Sequence, residues 1–210
     1  MLCVQYLFFV LFGYLSGSVL YGYLLPKYLC HIDVTQCSED QNPGAANAFL
    51  HAGVPVGILV VAADLGKAFL PVFLAAKVLD VQNIWFAAVL AAPVVGHAFP
   101  FWRIRGGGKA IASSFGSLLG LYPRLEPLLI LALFYLLYSL VLVIRPHLYR
   151  SIVTYLSFSI LCIFLVPSRG VVWGCMGISA VVILKHLVRF KNEKFSLCWG
   201  WRHSAQPAKK

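Results

Sequence analysis

The placement of charge constrains this chain more than any other feature. No Asp, Glu, Lys or Arg occurs in residues 1–26, 41–63, 81–102, 127–144, 151–168 or 170–184, and a shorter charge-free run covers 110–123. A helix that crosses a bilayer needs about 20 apolar residues, with a range of about 17–25. The runs are continuous and not alternating, so they predict helices and argue against a transmembrane β-barrel. About seven spans follow, at roughly 4–26, 52–77, 83–100, 107–123, 126–144, 151–167 and 170–188. The expected fold class is an all-α integral membrane protein.

Composition agrees. The chain has 210 residues, 60% hydrophobic and 11% charged, with mean hydropathy +0.84. A soluble domain is nearer half apolar and a quarter charged. A soluble enzyme, a disordered chain and a DNA-binding domain are excluded. The net charge of +10 therefore points to cytoplasmic loops and not to nucleic acid. With the N-terminus outside, thirteen Lys and Arg fall in cytoplasmic segments and three (Lys77, Arg124, Arg169) outside, with Lys67 inside a span. The positive-inside rule thus predicts an outer N-terminus and a cytoplasmic C-terminus. The first run lacks a basic leader and is long for a signal peptide, so it reads as a retained helix. Residues 1–190 form one domain, and residues 191–210 form a basic tail that lies along the anionic leaflet or is simply solvated. The six cysteines contain no C-x-x-C pair, so no metal site is expected. Cys30 and Cys37 fall in a cytoplasmic loop, where thiols stay reduced, and Cys162 and Cys175 read as packing residues.

Polar residues within apolar spans mark function, and four clusters stand out, all expected on the cytoplasmic side. In Ser38–Asn47, Asn42 reads as an N-cap and Pro43 as the first helical residue. Such a helix start could bind an anion, or be capping alone. Asp64 and Lys67 are three apart, so on a helix they share a face and pair or serve function. In Gly96–Lys109, the three glycines Gly106, Gly107 and Gly108 can turn N–H groups inward to form an oxyanion nest. Arg105 and Lys109 bracket that nest, and the next helix adds its dipole. A tight turn with snorkelling cations accounts for the same residues. The spacing is not that of a Walker loop. Arg150, Ser151 and Thr154 with Lys185 and His186 form the fourth cluster. Hydroxyls there also bond their own backbone.

These motifs together resemble the bacterial membrane acyl-phosphate:glycerol-3-phosphate acyltransferases (the PlsY family), from about Tyr14 to about Arg189. Tyr14-Leu15-Ser16-Gly17-Ser18 with Gly22 is similar to the family's first-helix motif. Asn42-Pro43-Gly44-Ala45-Ala46-Asn47 resembles its N-x-G-A-T-N, and Asp64-Leu65-Gly66-Lys67 its D-x-x-K. Gly96-His97-Ala98-Phe99-Pro100 and Gly107-Gly108-Lys109 resemble its G-H-x-x-P and G-G-K. Gly116 falls on a later glycine, Thr154 near a serine, and His186 on the last-helix histidine. The resemblance implies seven helices and transfer of an acyl chain from acyl phosphate to the first hydroxyl of glycerol 3-phosphate, in a bacterial plasma membrane. The products are lysophosphatidic acid and phosphate. No cofactor is implied. The expected partners are these two substrates and membrane lipids, and the expected state is a monomer.

The resemblance assigns His97, Lys109, Thr154 and His186 to the transfer centre. It assigns Asn42, Gly44, Asn47, Lys67, Arg105, Gly107, Gly108 and Arg189 to phosphate and substrate binding. The chain departs from the family in the first loop. Asp40 stands where the family has serine, flanked by Glu39 and Gln41 in place of glycines. Leu50 stands where it has arginine. Arg189 replaces an asparagine, Val188 a glutamate, Gly106 a lysine, and Ala110 the glycine after the loop lysine. A pairing of Asp40 with Arg189 across the site would restore charge balance. Two further readings remain open: a paralogue that binds a lipid or phosphate metabolite without this activity, and a small transporter.

Overall fold

The computed structural model describes residues 2–103, 106–188 and 195–199. Helices dominate. The first apolar run becomes two helices, α1 (Leu2–Gly17) and α2 (Tyr21–Cys30), followed by the short α3 (Val34–Cys37) and α4 (Ala45–Ala52). The expected single helix over 4–26 is therefore broken at Ser18–Leu20. A break at membrane depth is tolerated only where the released backbone groups find partners. They do here: the Val19 carbonyl accepts from Lys67 Nζ at 2.5 Å, and the Ser18 carbonyl from Trp102 Nε1 at 2.8 Å.

The long α5 (Val54–Val78) starts after Gly53 with Pro55 in its first turn, where a missing N–H costs nothing. Then come α6 (Phe86–Ala98), α7 (Ile111–Leu119) and α8 (Glu126–Leu136). The spans expected over 83–100 and 107–123 are thus shorter. The last expected stretch of 126–144 loses its α-helical form: a π-turn covers Leu137–Val141, and the strand β1 (Leu142–Arg145) follows. β1 pairs antiparallel with β2 (Ser196–Trp199), Leu142 facing Trp199 and Arg145 facing Ser196. Between them run α9 (His147–Leu165) and α10 (Arg169–Leu187). Ser168 caps α10, accepting from Val171 N–H and donating to the Val81 carbonyl at 2.6 Å.

Among the described residues, four helical segments are long and apolar enough to cross a membrane: Cys3–Cys30, Val54–Val78, His147–Leu165 and Arg169–Leu187. Phe86–Ala98 and Glu126–Val141 are shorter apolar helices. α6 sits centrally between α1 and α10, α5 packs on α7 and α4, and α9 packs on α8 and α10. Phe86, Leu90, Leu118, Leu131, Tyr155, Phe158 and Ile178 form the fully buried centre. Without a hydrophobic drive between helices in lipid, close approach and interhelical hydrogen bonds hold such a bundle. Gly96 and Gly116 show the first: a Cβ at either would run into the Tyr14 or Leu65 carbonyl of the facing helix. Ser117 Oγ, which donates to the Leu90 carbonyl at 2.5 Å, shows the second. All six cysteines are free thiols.

Candidate functional site

A cavity of about 420 Å³ opens where the first loop, the glycine-lysine loop and the ends of α9 and α10 meet. The first loop supplies Asp40, Asn42, Gly44 and Asn47, α5 supplies Asp64, and α6 supplies His97. Lys109, His147, Ser151 and His186 complete its polar wall. Residues scattered over the whole chain thus converge on one space, with Ala45, Ala110, Ile111 and Tyr135 as its less polar lining.

The first loop is tied to the glycine-lysine loop by a polar mesh. Asn47 Nδ2 donates to Asp40 Oδ1 and to the Asn42 carbonyl, each at 2.8 Å. The Asn42 N–H donates to Asp40 Oδ1 at 3.2 Å. The Lys109 N–H donates to Asn42 Oδ1 at 3.1 Å, and Lys109 Nζ meets Asp40 Oδ2 at 2.7 Å. Half-burial alone raises the Asp40 pKa. Hydrogen bonds from Lys109 and Asn47, with the ammonium charge, outweigh that and hold the carboxyl down at about 2. Asp40 is therefore ionised at neutral pH. Its partner among the described residues is Lys109; Arg189, the partner expected from the sequence, lies outside them, as does Arg105.

Two expectations for these loops are modified. Asn42 does not cap a helix. α4 begins at Ala45 after Gly44, because the Asn42 side chain is used across the site by Lys109. Two of the three glycine N–H groups are turned to the protein's own carbonyls. Gly106 N–H donates to the Arg103 carbonyl at 2.8 Å and Gly108 N–H to the His97 carbonyl at 3.0 Å. Gly107 and Gly108 do not line the cavity and are present for close packing. A Cβ on Gly107 would strike the Ala98 carbonyl, and one on Gly108 would strike the His97 ring. The helix start moves as well, to Ile111, preceded by Ala110 in the left-handed region at φ 60°.

Lys67, expected at the phosphate, is buried behind the cavity wall and does not line the cavity. Its ammonium is paired with the Asp64 carboxylate at 2.7 Å and donates to Val19 O at 2.5 Å and His97 Nδ1 at 2.8 Å. One ion pair and two hydrogen bonds thus surround this buried ammonium. Accepting from Lys67 makes His97 Nδ1 the acceptor nitrogen and leaves the proton of a neutral ring on Nε2. Asp64 and Lys67 lie near the middle of α5, and Asp64 reaches the same cavity as the other three clusters.

On the far wall, His186 Nδ1 donates to the Val182 carbonyl at 2.8 Å. Nδ1 thus carries the proton, and Nε2 is the basic nitrogen of the neutral ring. Lys185, buried beside it, holds its ammonium 4.7 Å from the Phe99 ring centroid. Thr154 is fully buried, its Oγ1 has no hydrogen-bond partner among the described residues, and it does not line the cavity. Ser151, one turn earlier, does. His147, which pairs with Arg150, and Tyr135 also line it, and sequence reading singled out neither. His147 had a signal: it lies four residues before Ser151, on the same helix face. Tyr135, inside an apolar run, had none. Leu50 is 75% exposed on α4 and does not line the cavity. No group of three or more His, Cys, Asp or Glu able to hold a metal occurs among the described residues.

A family model described as glycerol-3-phosphate acyltransferase matches residues 7–193. The glycerol-3-phosphate acyltransferase of Myxococcus xanthus is 41% identical over 116 residues, which cover 55% of this chain and 59% of that protein. That of Syntrophotalea carbinolica is 32% identical over 177 residues, covering 84% and 88%. Across several such relatives the match is partial, and the chain spans a little over half of their length. The crystal structure of PlsY, an integral membrane glycerol 3-phosphate acyltransferase, in its glycerol 3-phosphate form has a TM-score of 0.75 at 27% identity. It covers 87% of this chain and 88% of that one. The lysophosphatidic acid form of that enzyme gives 0.72. With its long apolar helices, the protein is a multi-pass membrane protein, and the chain belongs to the glycerol-3-phosphate acyltransferase family.

Proposed function

We propose that the protein transfers an acyl chain from acyl phosphate to the sn-1 hydroxyl of glycerol 3-phosphate, releasing phosphate and lysophosphatidic acid. One observation carries the reading: Asn42, Asn47, His97, Lys109 and His186, far apart in sequence, meet at one cavity. The chemistry suits it. The acceptor hydroxyl attacks the acyl carbonyl, the C–O bond to phosphate breaks, and phosphate leaves with the bonding pair. Acyl phosphate already carries a good leaving group, so no covalent enzyme intermediate is needed. Holding the two substrates in register supplies much of the rate. Hydrogen-bond donors around the carbonyl oxygen supply more. Lys109 supplies positive charge for phosphate, and Asn42 and Asn47 shape the first loop around it. The hydroxyl proton passes to a substrate phosphate oxygen or to His186 Nε2. A His186→Gln variant that keeps kcat assigns it to the phosphate.

The reading extends to topology. Loops at 40–47, 109–112, 147–151 and 186 meet at one cavity. An even number of crossings must therefore separate each from the next. Paired crossings by α5 and α6, α7 and α8, and α9 and α10 meet that condition, giving seven with the segment Cys3–Cys30. The basic residues then place the cavity in the cytoplasm and the N-terminus outside, in a bacterial plasma membrane. Residues 1–190 act as one unit, a monomer, onto which the strand β2 pairs through β1.

A second reading, ligand binding without transfer, is favoured by the ion pair that already occupies Lys109. One assay decides: purified protein with acyl phosphate and glycerol 3-phosphate, beside a Lys109→Ala control. Lysophosphatidic acid formed by the wild type and lost in the control supports transfer. Its absence from folded wild-type protein refutes transfer and leaves binding.

A further inference from the structure

Lys109 is the cavity's lysine, and its ammonium is held by an anion belonging to the chain itself. Asp40 Oδ2 sits 2.7 Å from Lys109 Nζ, while Asp40 Oδ1 accepts from Asn47 Nδ2 and from the Asn42 N–H. The carboxylate is thus bound where a phosphate oxygen would bind. Both partners remain partly open to solvent, with Lys109 at 25% and Asp40 at 35% side-chain exposure. Exchange with an external ligand is therefore sterically open. This pair contrasts with Asp64–Lys67, whose side chains are 2% and 3% exposed.

We propose that Asp40 is an internal competitor for the phosphate subsite, displaced from Lys109 by a phosphate-bearing ligand, and that it sets the affinity of this site for its acceptor. The proposal rests on the acyltransferase reading only in naming that acceptor. Physically, a site whose competent form is a fraction of the population has its affinity reduced by that fraction. Even a ligand that leaves Asp40 in place meets repulsion, because two like charges about 4 Å apart oppose each other more strongly in a protein cleft than in water. Both effects have one sign. Neutralising Asp40 must tighten anion binding. A merely supporting role for Asp40, orienting Lys109 and the loop, has the opposite sign: neutralising it would loosen binding.

The test is direct binding of inorganic phosphate and of glycerol 3-phosphate to the full chain in lipid nanodiscs, comparing wild type, Asp40→Asn and Asp40→Ser. Asparagine keeps the size and the acceptor oxygen, and serine keeps a small polar group. The expected result is phosphate binding tighter by about 10-fold or more in Asp40→Asn. Where product forms, KM for glycerol 3-phosphate falls by a similar factor while kcat changes less. Unchanged or weaker phosphate binding in both variants, with or without a lower melting temperature, overturns the proposal. Tighter phosphate binding without product in any variant sustains the competitor and refutes the acyltransferase reading, so the two failures are distinguishable.

Discussion

Replacing Lys67 with methionine separates a structural lysine from a functional one. The change removes a buried ammonium, its ion pair with Asp64 and its hydrogen bonds to Val19 and His97. Asp64 is then left in the bundle interior with no ammonium beside it. Breaking a buried pair from one side costs about 3–5 kcal/mol, most of it the uncompensated charge. At about 2–4 °C per kcal/mol for a chain of this size, the melting temperature should fall by about 6–20 °C. The double change Lys67→Met with Asp64→Asn removes that charge too. What remains unsatisfied is the Val19 carbonyl and His97 Nδ1, at about 1–3 kcal/mol each. The double variant should therefore melt above the single one. Thermal unfolding in one detergent, followed by light scattering and intrinsic fluorescence, reads all three proteins. A single variant within 2 °C of wild type, or a double variant that melts below it, would show that Asp64 is not held by Lys67 as described.

Three further outcomes follow from the loops. Gly108→Ala places a Cβ in the His97 ring, and that ring is held by Lys67. Overpacking of this kind costs about 1–3 kcal/mol, and lysophosphatidic acid formation should fall by more than tenfold, measured by product release at saturating substrate. Ala110 sits at φ 60°. Ala110→Gly relieves about 1–2 kcal/mol of left-handed strain, loses about 0.8 kcal/mol of methyl burial and adds unfolded-state freedom of about 0.4–1 kcal/mol. It should unfold within about 1 kcal/mol of wild type, whereas Ala110→Val should be clearly destabilised; equal losses in both would remove backbone strain as the cause. Acid should weaken the Asp40–Lys109 tie. The Asp40 pKa falls from 3.8 to about 2 on folding, so its stabilisation is present above 3.8 and lost as pH drops toward 2. After discounting for solvent at a site one-third exposed, this is about 1 kcal/mol, and the slope of melting temperature against pH should flatten in Asp40→Asn.

The membrane bundle was legible because the charge-free runs report a requirement of the solvent, hydrocarbon, that acts on every residue of a span. Helix ends and breaks were less so. The interruption at Ser18–Leu20 depends on Lys67 and Trp102, which the chain reaches only much later. The same holds in the site. Asn42, Asn47, His97, Lys109 and His186 stand out as polar residues among apolar neighbours, and all five reach the cavity. The glycine loop was only partly legible because the His97 and Arg103 carbonyls take the N–H groups of Gly108 and Gly106. Nothing local to three glycines reveals those partners. Thr154 and Ser151 differ by one helical turn, which sequence spacing alone resolves only once the facing helices are known.

Charge in a membrane protein is often taken as a sign of function, and the two lysine–aspartate pairs refine that inference. Lys67 holds one ion pair and two hydrogen bonds inside the bundle, and any ligand would have to break them there. Among the described residues Lys109 has one carboxylate on its ammonium, at a cavity and partly exposed to solvent. Only the second pair can exchange its partner at modest cost. Saturation therefore separates the two roles better than burial or charge does. A fully satisfied ammonium keeps the helices in register, while a partly satisfied one at a cavity is available to a substrate. Moving the carboxylate of Asp40 and not that of Asp64 should therefore change ligand affinity, and moving that of Asp64 should change stability. An Asp64→Asn variant that bound phosphate more tightly, with its melting temperature unchanged, would reverse this assignment.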